Sequence, residues 1–161
     1  MARYPFEEHT RVHWVPGATI TNLAAPTVAQ INAGPDITCF ITRDGLNPGG
    51  TTNKVDSAGL CTRIDGQVVG SVGYDFTLKM FRDNASGGDD AWDLANWGDL
   101  GQLVVRRGVP YSTAFAAAQK VEVYDAQMGE PIPTSSAANT NQSFELGLAV
   151  ANAELKATVA A

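Results

Sequence analysis

The side chains of this chain that could do chemistry are few and poorly spaced for it. His9 and His13 stand four residues apart, a spacing that on a helix would let two imidazoles share a metal ion. The segment Arg11-Val12-His13-Trp14-Val15 reads as extended, and no third ligand lies nearby, so surface or internally satisfied histidines are expected. Ser71 sits in Gly70-Ser71-Val72-Gly73, which lacks both the GxSxG spacing and the parallel α/β frame of a nucleophile turn. Gly49-Gly50 is not followed by the Gly-Lys-Ser/Thr of a phosphate loop, and no strand-to-helix GxGxxG occurs. No cofactor is implied.

Asp83, Asp89, Asp90, Asp93 and Asp99 gather in one stretch but lack the alternating pattern of a calcium loop; charge at a helix start and ordinary solvation account for them. Asn84-Ala85-Ser86 and Asn141-Gln142-Ser143 match glycosylation sequons, and without a secretory signal they read as chance. Cys39 and Cys61 are too far apart for a CxxC motif and are expected to be reduced core residues. Arg106 and Arg107 close a strand, where ion pairs within the subunit and pairing between subunits are both open readings. No nucleophile, base and orienting partner can be assembled from these motifs, so the chain is not expected to be an enzyme.

The elements that position these residues belong to a modest chain. Its 161 residues suit one domain. Charged residues are only 17% of the total, below the roughly 25% usual for soluble proteins, so much of the surface must be neutral or apolar and suited to partners. The formal charge of −6 has the wrong sign for gripping nucleic acid by its phosphates. Neither a run of about 18 apolar residues nor a signal-peptide pattern is visible, so no membrane association is expected.

Met1 to Pro26 reads as an arm with one short strand. Pro26 to Ala33 predicts a short helix stopped by Gly34, and Asp36 to Thr42 a buried strand. Arg43 to Asp56 (RDGLNPGGTTNKVD) is dense in Gly, Pro, Asn and Thr and predicts a long, unordered loop. Val72 to Phe81 alternates cleanly, with Val72, Tyr74, Phe76, Leu78 and Met80 on the core face. Asp89 to Leu94 predicts a helix anchored by Trp92 and Trp97 and ended by Gly98. Strands follow at Gln102–Arg107, Lys120–Gln127 and Gln142 to about Val150, with GEPIPTSSAANTNQ as a poorly ordered connector. The sum is a mainly β chain: a β-sandwich or partly closed barrel with one flanking α-helix, an N-terminal arm and a long inter-strand loop.

Six segments in order resemble the tail tube (major tail) proteins of long-tailed phages with non-contractile tails, especially those of actinobacterial hosts. They are RYPFEEHTRVHWVP (Arg3–Pro16), NLAAPTVAQINAGPDIT (Asn22–Thr38), AWDLANWG (Ala91–Gly98), LVVRRGVP (Leu103–Pro110), VEVYDAQMGEP (Val121–Pro131) and ELKATVAA (Glu154–Ala161). The resemblance implies one tail-tube-like domain over 1–161 that assembles with itself as six-fold rings stacked into a hollow tube. It further implies a tape measure protein and a tail terminator as partners, viral DNA in transit without specific binding, assembly in the host cytoplasm and residence in the virion tail. By the same analogy the arm (1–26), the long loop (43–56) and the C-terminal end (151–161) bridge rings. Their ring-stacking candidates are Arg3, Tyr4, Phe6, Trp14, Arg43, Asp44, Leu46, Asn47 and Lys54, and Asp65 and Asp75 are lumen candidates. A terminator or head-to-tail connector ring is the nearest alternative. A carbohydrate-binding sandwich using Trp14, Trp92 or Trp97 as a stacking platform is a more distant one.

Overall fold

The computed structural model describes residues 8–61, 63–83, 88–134 and 137–161. Seven strands form one antiparallel sheet: β1 (Thr10–Pro16), β2 (Ile41–Asp56), β3 (Gln67–Phe81), β4 (Leu100–Arg107), β5 (Lys120–Met128), β6 (Ile132–Pro133) and β7 (Ser143–Thr158). The order is β1-β4-β5-β7-β3-β2, with β6 added beside β7. The path is open, so the fold is mainly β and sandwich-like, as expected, but not a closed barrel.

The curl of the sheet follows from its core. Val12 and Trp14 of β1, Leu103 and Val105 of β4, Tyr124, Ala126 and Met128 of β5, Phe76, Leu78 and Met80 of β3 and Phe144, Leu146 and Leu148 of β7 share one buried cluster. Tyr124 and Phe76 are two strands apart in the sheet, yet their rings meet edge to face at 4.8 Å, which requires the sheet to fold over this face. A second cluster on the opposite face joins Val15, Val104, Val121, Val123 and Ala157 to Ile20, Ile31, Phe115 and Val159. β4 is therefore buried on both faces, which explains its unbroken apolar run Leu103-Val104-Val105.

Among the described residues there are two short α-helices, each within or beside the stretch where the sequence predicts one. α1 (Val28–Ile31) starts from a capping box in which the Thr27 hydroxyl accepts from the Gln30 amide and the Gln30 side chain accepts from the Thr27 amide. Gly34 follows because the chain there passes directly over β1, where a Cβ would overlap the Trp14 carbonyl oxygen. α2 (Asp90–Leu94) lies where the acidic helix start predicts it, with Ala91 and Ala95 buried against the first cluster.

Four expectations need correction. Asp36 to Thr42 is not a strand: Thr38–Phe40 form a 3-10 turn and β2 begins at Ile41. Residues 35–37 instead cover the outer edge of β1, through Trp14 N–H to the Pro35 carbonyl (3.1 Å) and Ile37 N–H to the Val12 carbonyl (3.0 Å). The Arg43–Asp56 stretch is not an unordered loop but most of β2, paired with β3 from Pro48↔Phe76 to Asp56↔Gln67. Part of the presumed connector, Ile132–Pro133, pairs with β7. Residues 151–158 continue β7, and Val159 is buried, so the C-terminal end is built into the sheet.

Candidate assembly surface

The β2–β3 hairpin runs past the rest of the sheet. β7 accompanies β3 only from Phe81 to Phe76, whereas β2 and β3 stay paired for a further stretch to Asp56 and Gln67. At about 3.4 Å per residue the part of β2 beyond Pro48 extends roughly 27 Å. Every residue from Asn47 to Asp56 is exposed, and from Gln67 to Gly73 only Gly70 is not. Yet the hairpin carries apolar side chains on both faces. Val55 and Val68 are cross-strand partners on one face, and Val69, 77% exposed, stands opposite Lys54 on the other. Leu60 is fully exposed and Ile64 is 80% exposed at the far end. Among the described residues β2 pairs with β3 alone, which leaves its outer edge open.

The ring-stacking candidates divide along this hairpin. Arg43, Asp44 and Asn47 are exposed at its base, where a register shift between Ile41 and Leu46 bulges the strand. Thr42 donates its hydroxyl to Asp44 Oδ1 (3.0 Å), and Asn47 Nδ2 donates to the Asp44 carbonyl (3.0 Å). The Thr42 hydrogen bond, with the Asp44 amide and the Lys79 charge, lowers the Asp44 carboxyl below the usual range. Leu46 is half-buried against the first core cluster, and Lys54 is exposed far out on the hairpin. Trp14 is only 2% exposed inside the core, so its indole has no surface to offer a neighbour or a sugar. Arg3, Tyr4 and Phe6 lie outside the described residues. Both lumen candidates, Asp65 beyond the hairpin's end and Asp75 opposite Gly49, are exposed.

Several of the groups that could have done chemistry make contacts within the subunit. His13 is buried in β1, its ring edge-on to Phe115 at 5.1 Å, with Nδ1 donating to the Ile31 carbonyl at 3.3 Å. Its Nε2 lies 3.5 Å from Asp36 Oδ2, which also accepts from Arg11 Nε at 3.0 Å. Burial alone would raise the Asp36 carboxyl; the facing His13 ring and two Thr38 donors outweigh it and hold the group well below the usual carboxylate range. No group of three metal-ligating side chains is formed among the described residues. Ser71 sits on the exposed hairpin with its hydroxyl accepting from Asn53. Asp89 is committed to Arg82 Nε (2.6 Å) and the Asp83 amide (2.9 Å). Both cysteines are exposed, contrary to the core expectation: Cys39 leaves the 3-10 turn toward Tyr111, and Cys61 lies between β2 and β3.

Arg106 and Arg107 take different roles. Arg107 pairs with Glu122 at 2.8 Å within the subunit. Arg106 is wholly buried; its guanidinium donates to the carbonyls of Pro110, Thr113 and Ala114 and to Gln119 Oε1, and lies over the Phe115 ring at 4.8 Å. Burial pulls its pKa downward, and the nearby Arg11 adds to the effect.

Sequence reasoning also missed a surface at α2. Trp92 anchors the helix as expected, edge-on to Phe144 at 5.1 Å and capped by the Arg82 guanidinium at 4.3 Å. Trp97 does not: it is 74% exposed. It lines, with Trp92, Asp93, Asn96, Glu130 and Pro131, a shallow cleft of about 320 Å³. The signal lay in the sequence, since Trp97 falls beyond the end of the helical segment and just before Gly98, whose φ of +90° turns the chain into β4.

Known proteins give matches of two kinds. A family model described as phage tail tube protein matches residues 1–161. Among solved structures, the six-fold symmetrised cryo-EM baseplate of the anti-feeding prophage contains a similar chain, with a TM-score of 0.57 and 14% identity over 96% of each chain, a likeness of fold. No curated protein matches.

Proposed function

Because this chain belongs to the phage tail tube protein family, whose model spans residues 1–161, we propose that it polymerises as stacked hexameric rings to form the hollow tail tube through which viral DNA passes. The observation that carries this reading is the β2–β3 hairpin, which projects from a well-packed domain with apolar side chains on both faces and an open edge. Full burial of a Val, Leu or Ile is worth about 1.5–3 kcal/mol, so covering Val55, Leu60, Ile64, Val68, Val69 and Val72 against neighbouring copies supplies a strong drive to assemble. Arg43, Asp44, Asn47 and Lys54, together with Arg3, Tyr4 and Phe6, are the polar and aromatic residues proposed to set the stacking register. Leu46 supports the hairpin base from the core side.

A conduit for DNA must not hold it. Six copies at −6 each give a ring a formal −36, and carboxylates such as Asp65 and Asp75 facing the bore would repel phosphates. A tape measure protein filling the bore during assembly and a terminator closing its end are the proposed partners in the virion tail.

Negative-stain microscopy of the purified protein tests the reading. Long hollow tubes are expected; isolated rings would point to a terminator or connector instead. Excising Thr52–Val72 joins Thr51 to Gly73 while keeping the Gly50↔Tyr74 register, and Thr51→Asn makes the junction the Asn-Gly of a tight hairpin. That variant should fold with an unchanged far-UV spectrum per residue in the body and build no tubes. Long tubes from it would refute the assigned role of the hairpin.

A further inference from the structure

The charge of the subunit is concentrated in one place. Between Arg82 and Asp99 stand five aspartates and one arginine, a formal −4 of the chain's −6. That arginine is already taken by Asp89, at 2.6 Å. Two other carboxylates, Asp93 and Glu130, line the cleft beside α2 together with Trp97 and Pro131. Neither belongs to an ion pair among the described residues.

Trp97 is exposed on a turn that is held in place. Gly98 N–H donates to the Met128 carbonyl (2.9 Å) and Met128 N–H to the Asp99 carbonyl (2.9 Å). Gln127 Nε2 donates to the Gly98 carbonyl (2.8 Å), and Asn96 Nδ2 to the Asp93 carbonyl (3.1 Å). These bonds tie the residues on either side of Trp97 to the end of β5 and to α2, so the indole stands fixed in water with 74% of its surface open. A ring already held in this way loses little freedom when something covers it.

Charge selects the occupant. A neutral ligand laid on the indole would draw Asp93 and Glu130 out of water with nothing to balance them. A cation satisfies all three groups, the ring face through its quadrupole and the carboxylates by pairing. An exposed indole improves affinity for a cation by a factor of about two to five, and an exposed carboxylate by a similar factor. One small ion is therefore not retained, and the occupant must carry several cations on one chain.

We propose that the Trp97 cleft binds a lysine- or arginine-rich segment of a second protein, one cationic side chain lying over the indole between Asp93 and Glu130. The cleft belongs to each subunit by itself; only its repetition rests on the tube reading. Along a tube a basic chain meets one copy after another, and repetition turns a weak site into a firm one. The acidic surplus around α2 then has a purpose other than lining the bore.

Fluorescence anisotropy of labelled decalysine, with blocked termini, tests the site. Dilute, unassembled subunit should bind it saturably at low salt. Trp97→Leu leaves the net charge unchanged and touches neither core cluster, and it should weaken binding about threefold. Glu130→Gln should do the same, whereas Asp75→Asn, an equal loss of charge on the hairpin, should change nothing. Wild-type affinity in Trp97→Leu would reveal only a general attraction to an acidic surface and overturn the proposal. Displacement of the peptide by neutral maltoheptaose would overturn it in favour of a sugar site. Assembled tubes should bind long polylysine at least about tenfold more tightly than the dilute subunit does; equal or weaker binding would mean that assembly covers the cleft, and would overturn the proposal for the virion. Wild-type protein that builds no tubes would remove the tube reading, and the subunit measurement would still decide the cleft.

Discussion

Replacing Arg106 by methionine should cost the folded subunit about 3 kcal/mol. The side chain is 0% exposed, and its guanidinium holds four oxygens: Pro110 O at 3.0 Å, Thr113 O at 2.8 Å, Ala114 O at 3.1 Å and Gln119 Oε1 at 3.1 Å. These partners draw the whole segment between β4 and β5 over Phe115, a member of the second core cluster. Hydrogen bonds from a charged donor are worth roughly 1.5–3 kcal/mol each, but a buried cation costs several kcal/mol to desolvate, and its partners here are neutral oxygens that return less than a carboxylate would. Methionine fills much of the volume and leaves no stranded charge, and each acceptor keeps a second donor (Thr113 N–H, Arg11 Nη1, Gln119 Nε2 and Ala116 N–H), so the loss is that of four hydrogen bonds and not of orphaned groups. Part of that loss is recovered by water, since the segment lies near the surface. About 0.75 kcal/mol per acceptor gives the total.

Arg106→Lys should fall between, at about 2 kcal/mol, because one ammonium cannot span the four acceptors that the planar fork reaches. Urea unfolding of dilute, unassembled protein would read the effect: with a slope of about 2 kcal/mol/M the midpoint should drop by about 1.5 M for methionine. Amide exchange should accelerate across residues 108–119 before it does in β4. A methionine variant within about 0.5 kcal/mol of wild type would show that desolvation cancels the hydrogen bonds, and that the segment is held by Phe115 and by the backbone bonds of Gly108, Tyr111 and Ala118.

Gly101→Ala should destabilise by about 3 kcal/mol and lower Tm by roughly 9 °C, because a Cβ there would overlap the Trp14 indole and neither the strand nor the core-locked ring can give way; thermal unfolding followed by circular dichroism would check it. Asp36 has its carboxyl held below its unfolded value of about 3.9, so its contribution is complete above about pH 5 and is lost as pH falls through 4 toward the folded value. Asp36→Asn should therefore be less stable at neutral pH and show a flatter acid limb, and an equally steep loss of stability below pH 4 in the variant would refute the assignment. Trp92→Ala, which removes the edge-on contact with Phe144 and the stack with Arg82, should cost about 3 kcal/mol in the same unfolding assay.

The sequence was legible where one face of an element meets the core and the other meets water. Tyr74, Phe76, Leu78 and Met80 announce the inner half of β3 because each alternate residue enters the first cluster. α2 is legible from its acidic start, and Trp92 from the helix that carries it. Composition misled at Cys39, where a residue type that is usually buried is turned outward by a 3-10 turn that no periodicity marks. It misled again at Asp36–Thr42, whose apolar residues are used to cover an edge by two backbone hydrogen bonds. Arg106 reads as one half of an ion pair, within the subunit or across to another, since nothing in LVVRRGVP reveals that the following turn will wrap its carbonyls around it.

β2 was illegible for a different reason. From Asn47 to Asp56 the strand buries neither face in its own subunit, so no period of two is imposed on it, and Gly, Pro, Asn and Thr can occupy positions that a core would deny them. A hairpin meant to stay in water is ordinarily protected by charges along its edge and faces. Here, between Gly49 and Asp56 and between Gln67 and Gly73, only Lys54 and Asp56 are charged, while four valines are exposed. That composition is a liability in a lone monomer and an asset in a strand that neighbouring copies cover. On the proposed assembly, the absence of a pattern legible from one subunit is what a surface shaped by its neighbours would leave behind.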